Sequence, residues 1–377
     1  MGIGGDLIGD LEQLLVARTL QRKGPKALFR MTGATSQCWR AEMEVQSMYQ
    51  GMRCLLLPSA TIASSLLLEL LGLEPGREIL VTPFGWVSNW SCIRRARLVP
   101  RFLPLDDRLQ LKAADVAERI TERTGAVIVT HLLGRGQQEI EEISRVCTAR
   151  GIPLFEDIAQ SFGVSVGRRR AGSFGTAAWC SMNHNKILST GDGGFALVRD
   201  EALFGRLSAW HDHGNIMENG KRRPATVLEP GLSLRTSEVV AAVLRAQLAR
   251  YPLVRARILS FHEAVARACE GLGLELIEAC EGDVPFTVLF RRTPEMRYPS
   301  LLDGGWHVAS NVPWLADELA NASKSDAALE TTIERLRSTA AVGTGFVDSY
   351  HGIDIGLRIT DSIAGVPRLV EELEKRI

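Results

Sequence analysis

The sequence lacks an excess of charge of either sign, because its 44 Lys and Arg residues balance 44 Asp and Glu residues. Proteins that bind nucleic acids need a net basic surface to displace counterions, so the composition gives no reason to expect a nucleic-acid partner. The sequence also lacks the run of about eighteen uncharged apolar residues that a membrane-spanning helix needs. With 45% hydrophobic and 23% charged residues, it has the composition of a folded protein.

Paired cysteines are also missing, since the seven cysteines are scattered and none is spaced C-x-x-C. This pattern predicts neither a disulfide framework nor a zinc site, and we expect no metal. The N-terminus carries acids where a secretory signal needs a basic start and an apolar run. Asp6 stands where a myristoylation signal needs Ser or Thr. Together these features favour a cytoplasmic protein without a membrane partner.

Short β-type runs alternate with helical segments between about residues 52 and 200. This alternation predicts an α/β fold with βαβ units and a largely parallel, buried sheet. In such sheets ligands bind beyond the carboxyl ends of the strands. The predicted strands are 53–57, 78–82, 100–105, 126–131, 153–156, 177–182 and 194–198, and the predicted helices include 63–71, 113–120, 139–150 and 237–250.

The length of 377 residues exceeds what one hydrophobic core usually organises, so we expect a large and a small domain. Residues 41–250 form the predicted large domain. Residues 251–377 form the predicted small α+β domain, with strands at 286–290 and 353–359 and a closing helix at 368–375. Residues 1–40 are expected to form a helix and an arm that pack on the small domain.

Small and polar residues follow the first predicted strand, at positions 58–63 (PSATIA). Amides at a helix N-terminus bind phosphate readily, and the hydroxyl of Thr61 adds a donor. Because Ser and Thr cap most helices, an ordinary helix cap explains the same residues. This segment is therefore a candidate phosphate site.

Two further strand ends carry groups with catalytic potential. Acids end a buried strand in the segment 155–160 (FEDIAQ), where Asp157 is either paired structurally or holds a ligand. Lys186 follows another apolar strand and precedes a glycine-rich turn at 190–194. A lone lysine is usually a solvated surface charge, whereas a buried one has a lowered pKa and can form a Schiff base.

Several motifs together resemble the DegT/DnrJ/EryC1/StrS family of pyridoxal-phosphate (PLP)-dependent sugar aminotransferases. They agree with the family in order and spacing, and their joint occurrence is far more specific than any one of them. The resemblance covers roughly residues 25–250 and implies a fold-type I enzyme, with a mostly parallel sheet flanked by helices. The motifs are 59–61 (SAT), 71–76 (LGLEPG), 82–87 (TPFGWV), 131–134 (HLLG), 155–160 (FEDIAQ), 172–175 (GSFG), Lys186 with 190–194 (TGDGG), and 213–214 (HG).

The resemblance also implies a role for individual residues. Lys186 is implied to be the Schiff-base lysine and the general base and acid of the proton shift. Asp157 is implied to pair with the ring nitrogen of pyridoxal 5'-phosphate, where it supports the electron sink. Gln160 matches the position that approaches the ring hydroxyl, and Trp86 the position that stacks on the ring. The positions implied to bind the phosphate are Ser59, Ala60, Thr61 and Ser181.

A segment at 231–238 (GLSLRTSE) resembles the family segment G-x-N-x-R-x-x-E. The asparagine of that family segment reaches the cofactor phosphate of the neighbouring subunit, which implies a homodimer with active sites at the interface. Ser233 stands at the asparagine position. Its shorter side chain either reaches the phosphate through water or loses the contact.

Three polar residues stand before Lys186 in place of the usual aromatic residue and proline: Asn183, His184 and Asn185. His184 is a candidate substrate contact, although it and His131 are also explained as histidines bonded to the backbone. Arg358, in the predicted strand 353–359, resembles the arginine that clamps a substrate carboxylate in many fold-type I aminotransferases. An exposed strand arginine is the alternative, and this region leaves the sugar substrate open.

The implied function is an aminotransferase that moves an amino group from glutamate or glutamine to a keto sugar nucleotide or a ketocyclitol. Such a reaction belongs to specialised-metabolite or surface-sugar biosynthesis. One alternative is a PLP enzyme that acts on an amino acid without net transamination: an epimerase, an eliminase or a carbon–carbon bond former. Another is a catalytically silent subunit, against which the intact Lys186, Asp157 and Gln160 count. A dehydratase branch of the family replaces the lysine with histidine, so Lys186 also counts against dehydration.

Overall fold

The computed structural model describes residues 8–21, 35–218, 221–227, 230–298, 300–301, 312–343 and 366–375. Its strands are β1 (Arg53–Leu57), β2 (Glu78–Val81), β3 (Val99–Phe102), β4 (Thr124–Thr130), β5 (Leu154–Asp157), β6 (Ser165–Val166), β7 (Arg169–Arg170), β8 (Ala177–Ser181), β9 (Gly194–Val198), β10 (Asn215–Glu218), β11 (Lys221–Val227), β12 (Leu276–Ile277), β13 (Thr287–Arg291) and β14 (Thr339–Gly343). Its helices are α1 (Asp10–Leu20), α2 (Gln37–Met48), α3 (Ala60–Leu70), α4 (Val87–Arg95), α5 (Ala113–Arg119), α6 (Ile140–Ala149), α7 (Glu201–His211), α8 (Glu238–Gly271), α9 (Pro313–Ser325), α10 (Ala327–Arg337) and α11 (Val366–Glu374).

The central sheet has seven strands in the order β1-β9-β8-β5-β4-β2-β3. Strand β9 runs antiparallel to its neighbours β1 and β8, and the remaining neighbouring pairs are parallel. Every residue of β2, β4, β5 and β9 is buried, as expected for strands covered on both faces of a sheet. The predicted α/β class and the seven strands predicted between residues 52 and 200 are confirmed.

Side chains that alternate along each strand build two separate cores, one on each face of the sheet. In β4, Val127 and Val129 belong to one core, which α2, α6 and α8 complete. Ala126 and Ile128 belong to the other core, which α3, α4 and α7 complete. This three-layer arrangement leaves the carboxyl ends of the parallel strands as the place where loops from several elements meet.

Helix α8 is much longer than the predicted helix 237–250, since it runs for 34 residues through Pro252. Proline removes a helical hydrogen bond and usually breaks a helix. Here the residues beyond it, among them Val254, Ile258 and Phe261, are buried in the core, so tertiary packing maintains the helix. The expected domain boundary at residue 250 falls inside α8, and the division into domains stays a prediction.

Beyond α8 the chain forms a three-stranded antiparallel sheet, β12-β13-β14. Strand β13 corresponds to the predicted strand 286–290, whereas the predicted strand 353–359 lies outside the described residues. The N-terminal helix α1 packs on α8, where buried Glu12 pairs with Arg250. In the described part of the chain, no helix combines the length and the apolar character needed to cross a membrane.

Candidate active site

Asp157 is the last residue of β5 and lies at the carboxyl edge of the sheet, beside Thr130 of β4. Its side chain is only 3% exposed. The Oδ1 atom accepts a hydrogen bond from the Ala159 amide at 2.9 Å, and Oδ2 accepts one from Asn89 Nδ2 at 2.8 Å. Burial raises the pKa of this carboxyl, while the two hydrogen bonds and the positive charge of Lys186 oppose that rise. A buried carboxylate of this kind suits a cationic ligand.

Lys186 lies near this carboxylate and is 9% exposed. Its Nζ atom lies 5.6 Å from the centroid of the Trp86 ring, within the range of a cation–π contact. Trp86 itself is 40% exposed, so part of its side chain is accessible from solvent. The structure therefore brings together the expected Schiff-base lysine, the expected stacking residue and the expected acid.

A closed loop between β8 and β9 positions Lys186. The Met182 amide donates to the Gly193 carbonyl at 2.9 Å, and the Thr190 amide donates to the Met182 carbonyl at 2.9 Å. Gln247 of α8 also holds the loop, because its Oε1 accepts a hydrogen bond from the Ser189 amide at 2.6 Å. Backbone hydrogen bonds of this loop therefore fix the main chain on both sides of Lys186.

The start of α3 forms the candidate phosphate site. Ser59 is the N-cap, and its Oγ accepts from the Ile62 amide at 3.2 Å. The amides of Ala60 and Thr61 lie in the first turn, where a helix offers no carbonyl acceptor. Gly194 packs against this turn and is the β-sheet partner of Ser181. The helix-cap and phosphate interpretations are thus compatible, because Ser59 caps the helix and the amides of Ala60 and Thr61 remain as donors for a phosphate.

Gln160 lies in the turn that follows Asp157. Its Oε1 accepts a hydrogen bond from the Leu133 amide at 3.1 Å, and its main-chain carbonyl accepts one from the Gly134 amide at 3.0 Å. Because Oε1 accepts from a backbone amide, the orientation of the side-chain amide is determined. Its other end, Nε2, can donate to a ligand oxygen. The arrangement agrees with a contact to a ring hydroxyl.

His131 and Glu156 are both fully buried and pair with each other, His131 Nε2 lying 3.0 Å from Glu156 Oε2. The Gln137 amide donates to His131 Nδ1 at 3.0 Å, so the histidine is bonded to the backbone as expected. Glu156 also accepts hydrogen bonds from the amides of residues 172, 174 and 175. The first acid of the 155–160 segment therefore has a structural role, since it anchors the 172–175 turn.

Asn89 is a residue of the site that the sequence did not indicate. It lies in the first turn of α4, is 2% exposed, and joins Asp157 to Thr130, whose Oγ1 lies 3.2 Å from Asn89 Nδ2. Helix α4 is not among the helices named from the sequence, so the place of Asn89 in a first helical turn was not foreseen. The polar residue three positions after Trp86 was the available signal.

Two further expected residues are exposed, and a third lies outside the described residues. His184 is exposed. Ser233 is also exposed and forms a short β-bridge with Asp212, and among the described residues no hydrogen bond connects it to Lys186 or Asp157. Arg358 lies outside the described residues.

The donor set as a whole fits PLP. Asp157 suits a protonated ring nitrogen, Trp86 a flat ring, the α3 N-terminus a phosphate, and Lys186 an aldehyde. The backbone of Gly194 adds an observation specific to this chain. A Cβ atom at that position would lie 2.3 Å from Ala60 N, so only glycine permits this approach to the phosphate-binding turn.

Comparisons with known proteins agree with this assignment. An L-glutamine:2-deoxy-scyllo-inosose aminotransferase of Streptomyces fradiae is 34% identical over 202 residues, which are 52% of this chain and 47% of that protein. The chain thus spans about half the length of the curated relatives it matches.

Solved structures show the same fold. The aminotransferase from Psychrobacter cryohalolentis superposes with a TM-score of 0.79 at 18% identity, covering 98% of this chain and 96% of that one. The E. coli GDP-4-keto-6-deoxy-D-mannose-3-dehydratase with bound hydrated PLP has a TM-score of 0.76 at 18% identity and covers 99% and 98%. Fold type I is therefore confirmed.

A model of the DegT/DnrJ/EryC1/StrS aminotransferase family matches residues 30–286, which is more than half of the chain. That range contains the residues of the candidate site from Ser59 to Ser233. The resemblance given by the motifs is confirmed, and the chain belongs to the DegT/DnrJ/EryC1/StrS aminotransferase family.

Proposed function

We propose that the protein is a PLP-dependent aminotransferase whose cofactor is held by Lys186. The observation that carries this proposal is the convergence of buried Lys186 on Trp86 and on the buried carboxylate of Asp157. An amine, an aromatic face and a carboxylate arranged in this way suit a flat cationic ring that carries an aldehyde. Membership of an aminotransferase family supports the same conclusion.

When bound, PLP supplies an electron sink that weakens a bond to the amino-bearing carbon of the donor. Asp157 would hold a proton on the ring nitrogen, and Gln160 Nε2 would donate to the ring oxygen. The donors Ser59, Ala60, Thr61 and Ser181 would bind the phosphate. Trp86 would stack on the ring and exclude water. Lys186 Nζ is the group that accepts and returns the proton during amino transfer, since it is the buried amine beside the ring.

We further propose L-glutamine as the donor and a ketocyclitol as the acceptor. The matched relative from Streptomyces fradiae is an L-glutamine:2-deoxy-scyllo-inosose aminotransferase, which supports both substrates. The polar residues Asn183, His184 and Asn185 before Lys186 suit an acceptor rich in hydroxyl groups. A keto sugar nucleotide is the second acceptor class. Either acceptor places the reaction in the biosynthesis of a specialised metabolite or a surface sugar.

The alternative without net transamination depends on the polar residues before Lys186 and on Arg358 as a carboxylate clamp. Arg358 lies outside the described residues, so no contact in the structure favours this alternative. That alternative would require an amino-acid substrate whose product keeps its amino group or has lost a substituent. The proposed transaminase instead returns a keto acid from the donor.

We also propose that the active unit is a homodimer in the cytoplasm. Ser233 and its neighbour Leu232, which is 62% exposed, are both accessible to a second subunit. In the dimer, Ser233 would approach the phosphate of the partner's cofactor. The buried cysteines, with burial raising the pKa of Cys147 and Cys269 to about 12, are compatible with a reducing compartment.

The proposal is tested by the half-reaction with the donor. Protein loaded with PLP is mixed with L-glutamine, L-glutamate or another amino acid, and the visible absorption of the cofactor is followed. We expect L-glutamine to convert the cofactor stoichiometrically to its amine form, and a ketocyclitol to restore the starting spectrum. Lys186→Ala is the control that should not turn over. Release of ammonia or racemised amino acid without formation of the amine form would favour the alternative.

A further inference from the structure

Asn89 of helix α4 donates a hydrogen bond to the carboxylate of Asp157, which ends strand β5. Its Nδ2 atom donates to Asp157 Oδ2 at 2.8 Å and to Thr130 Oγ1 at 3.2 Å. Asn89 is 2% exposed, so both contacts are shielded from water. Hydrogen bonds to a charged group in such surroundings are stronger than those between neutral groups.

The two oxygens of Asp157 are held by different elements. The Ala159 amide, in the turn after β5, donates to Oδ1 at 2.9 Å, and Asn89 of α4 donates to Oδ2. Two donors on opposite oxygens fix the rotation of the carboxylate group. Both contacts also require acceptor oxygens, so they favour the ionised form against the effect of burial.

Helix α4 connects this contact to the stacking residue. Trp86 is the N-cap position of α4, and the Asn89 amide donates to the Trp86 carbonyl at 3.1 Å. One helical turn therefore sets both the aromatic face and the carboxylate orientation. A shift of α4 would displace both together.

The energetics favour a functional origin for Asn89. Its Oδ1 atom is buried and has no hydrogen-bond partner. An unsatisfied buried acceptor is destabilising, so the contacts of Oδ1 do not explain why an amide stands at this position. Turning the amide over would direct Oδ1 at a carboxylate, which is unfavourable. The residue is therefore explained by what Nδ2 does for Asp157.

We propose that Asn89 is a positioning residue of the active site: its side-chain amide fixes the orientation of the Asp157 carboxylate towards the ring nitrogen of the cofactor. This inference rests on the proposed PLP-dependent function. Asn89 does not contact the reacting atoms, and its effect on the reaction passes through Asp157.

The test compares Asn89→Leu, Asn89→Asp and a control, Thr82→Val. Leucine is similar in size and cannot donate. A protonated aspartate in place of Asn89 can still donate to Asp157, but an ionised one cannot, because adjacent carboxylates repel and share a proton. Thr82 is 1% exposed and its Oγ1 donates to the Phe84 carbonyl at 2.7 Å, so its replacement by valine removes one buried hydrogen bond near the site without touching Asp157.

For each protein we would measure the thermal unfolding midpoint without cofactor, the pH titration of the visible band with PLP bound, and kcat and KM. Asn89→Leu should lower kcat about ten- to hundredfold with little change in KM, since one charge-assisted hydrogen bond is lost. The visible band should titrate roughly one pH unit higher. When the ring nitrogen is less positive, the Lys186 nitrogen keeps its proton to higher pH, so the midpoint of the titration rises.

Asn89→Asp should retain most of its activity at low pH and lose it as pH rises. Its unfolding midpoint without cofactor should fall over the same range, because two adjacent buried carboxylates repel when both are ionised, so the titration of the visible band is the readout that separates positioning from stability. Thr82→Val should lower the unfolding midpoint and leave the titration of the band unchanged. If Asn89→Leu and Asn89→Asp both resemble Thr82→Val, Asn89 is structural only and the inference fails. If the unmodified protein binds no PLP, the proposed function fails instead.

Discussion

Gly194 and Ala60 approach each other so closely that a Cβ atom on Gly194 would lie 2.3 Å from the Ala60 nitrogen. Atoms of the main chain cannot move aside as a flexible side chain can. The same hypothetical Cβ would lie 2.5 Å from the Ser59 carbonyl carbon and 2.9 Å from the Cys180 carbonyl oxygen. Strand β9 thus packs directly against the first turn of α3, which is the candidate phosphate site.

Gly194→Ala should displace the start of α3 and weaken PLP binding by at least about tenfold, because several phosphate donors move together. Stability should also fall by about 1–3 kcal/mol, as for other overpacked sites. Gly205→Ala is the matched control, since Gly205 lies in α7 with open space around its Cβ position. That control should gain up to about 1 kcal/mol and bind PLP normally. Equal PLP affinity in both variants would refute the role given to Gly194.

Asp157→Asn should change how the stability of the cofactor-free protein depends on pH. Burial raises the folded-state pKa of Asp157 above 3.8, so between 3.8 and that raised value the folded state binds more protons than the unfolded state. The free energy of unfolding of the unmodified protein therefore falls as pH rises through this window. The asparagine variant lacks this loss.

Urea unfolding at a series of pH values measures the difference between these two proteins. The variant should become more stable relative to the unmodified protein as pH rises from about 4. With PLP bound, the same variant should lose most of its turnover, because a neutral amide cannot stabilise a protonated ring nitrogen. Parallel pH profiles of the two cofactor-free proteins would contradict the buried, ionisable state given to Asp157.

His262 of α8 should limit stability at acid pH. Burial lowers the pKa of this imidazole to about 4, with a further contribution from the charge of Arg135. Below the unfolded value of 6.5 the unfolded state binds the proton more readily, so stability is lost as pH falls from 6.5 towards 4. His262→Gln, which does not titrate, should show a shallower loss of stability across that range. The check is chemical unfolding at several pH values, and identical slopes in the two proteins would show that His262 is not the titrating group.

Ser233→Asn restores the side chain that the family segment carries at this position. If Ser233 approaches the partner's cofactor, the longer amide should slow PLP release at least severalfold, and dilution to monomers should abolish the gain. The measurement is the rate of PLP release at several protein concentrations, with size determined by light scattering. A stable monomer with full activity would be incompatible with the proposed dimer.

The strands and the main catalytic candidates were predictable because their signals are local. Apolar runs ended by polar residues located Asp157 and Lys186, and the glycine-rich turn after Lys186 indicated close backbone packing. Asn89 and Gln247 were not predictable, since each acts on a residue at least 58 positions away in the sequence. The full length of α8 was missed because Pro252 predicts a helix end, and only burial of the following turns overrides that signal.

The role of Glu156 shows a related limit. The residue pattern alone placed two acids at one strand end without dividing their functions, and only the family resemblance singled out Asp157. In a strand, neighbouring side chains point to opposite faces. Here Glu156 accepts hydrogen bonds from the 172–175 turn, whereas Asp157 accepts one from Asn89. That division depends on which segments pack on each face of β5.

The most direct measurement is borohydride reduction of the PLP-loaded protein, followed by peptide mapping of the modified lysine. The account predicts a single reduced adduct on Lys186, and its absence in Lys186→Ala with the fold preserved by circular dichroism. Lys112 is a suitable internal control, because it is a surface lysine paired with Glu139 and should remain unmodified. An adduct on any lysine other than Lys186, or visible absorption that persists unchanged in Lys186→Ala, would contradict the account.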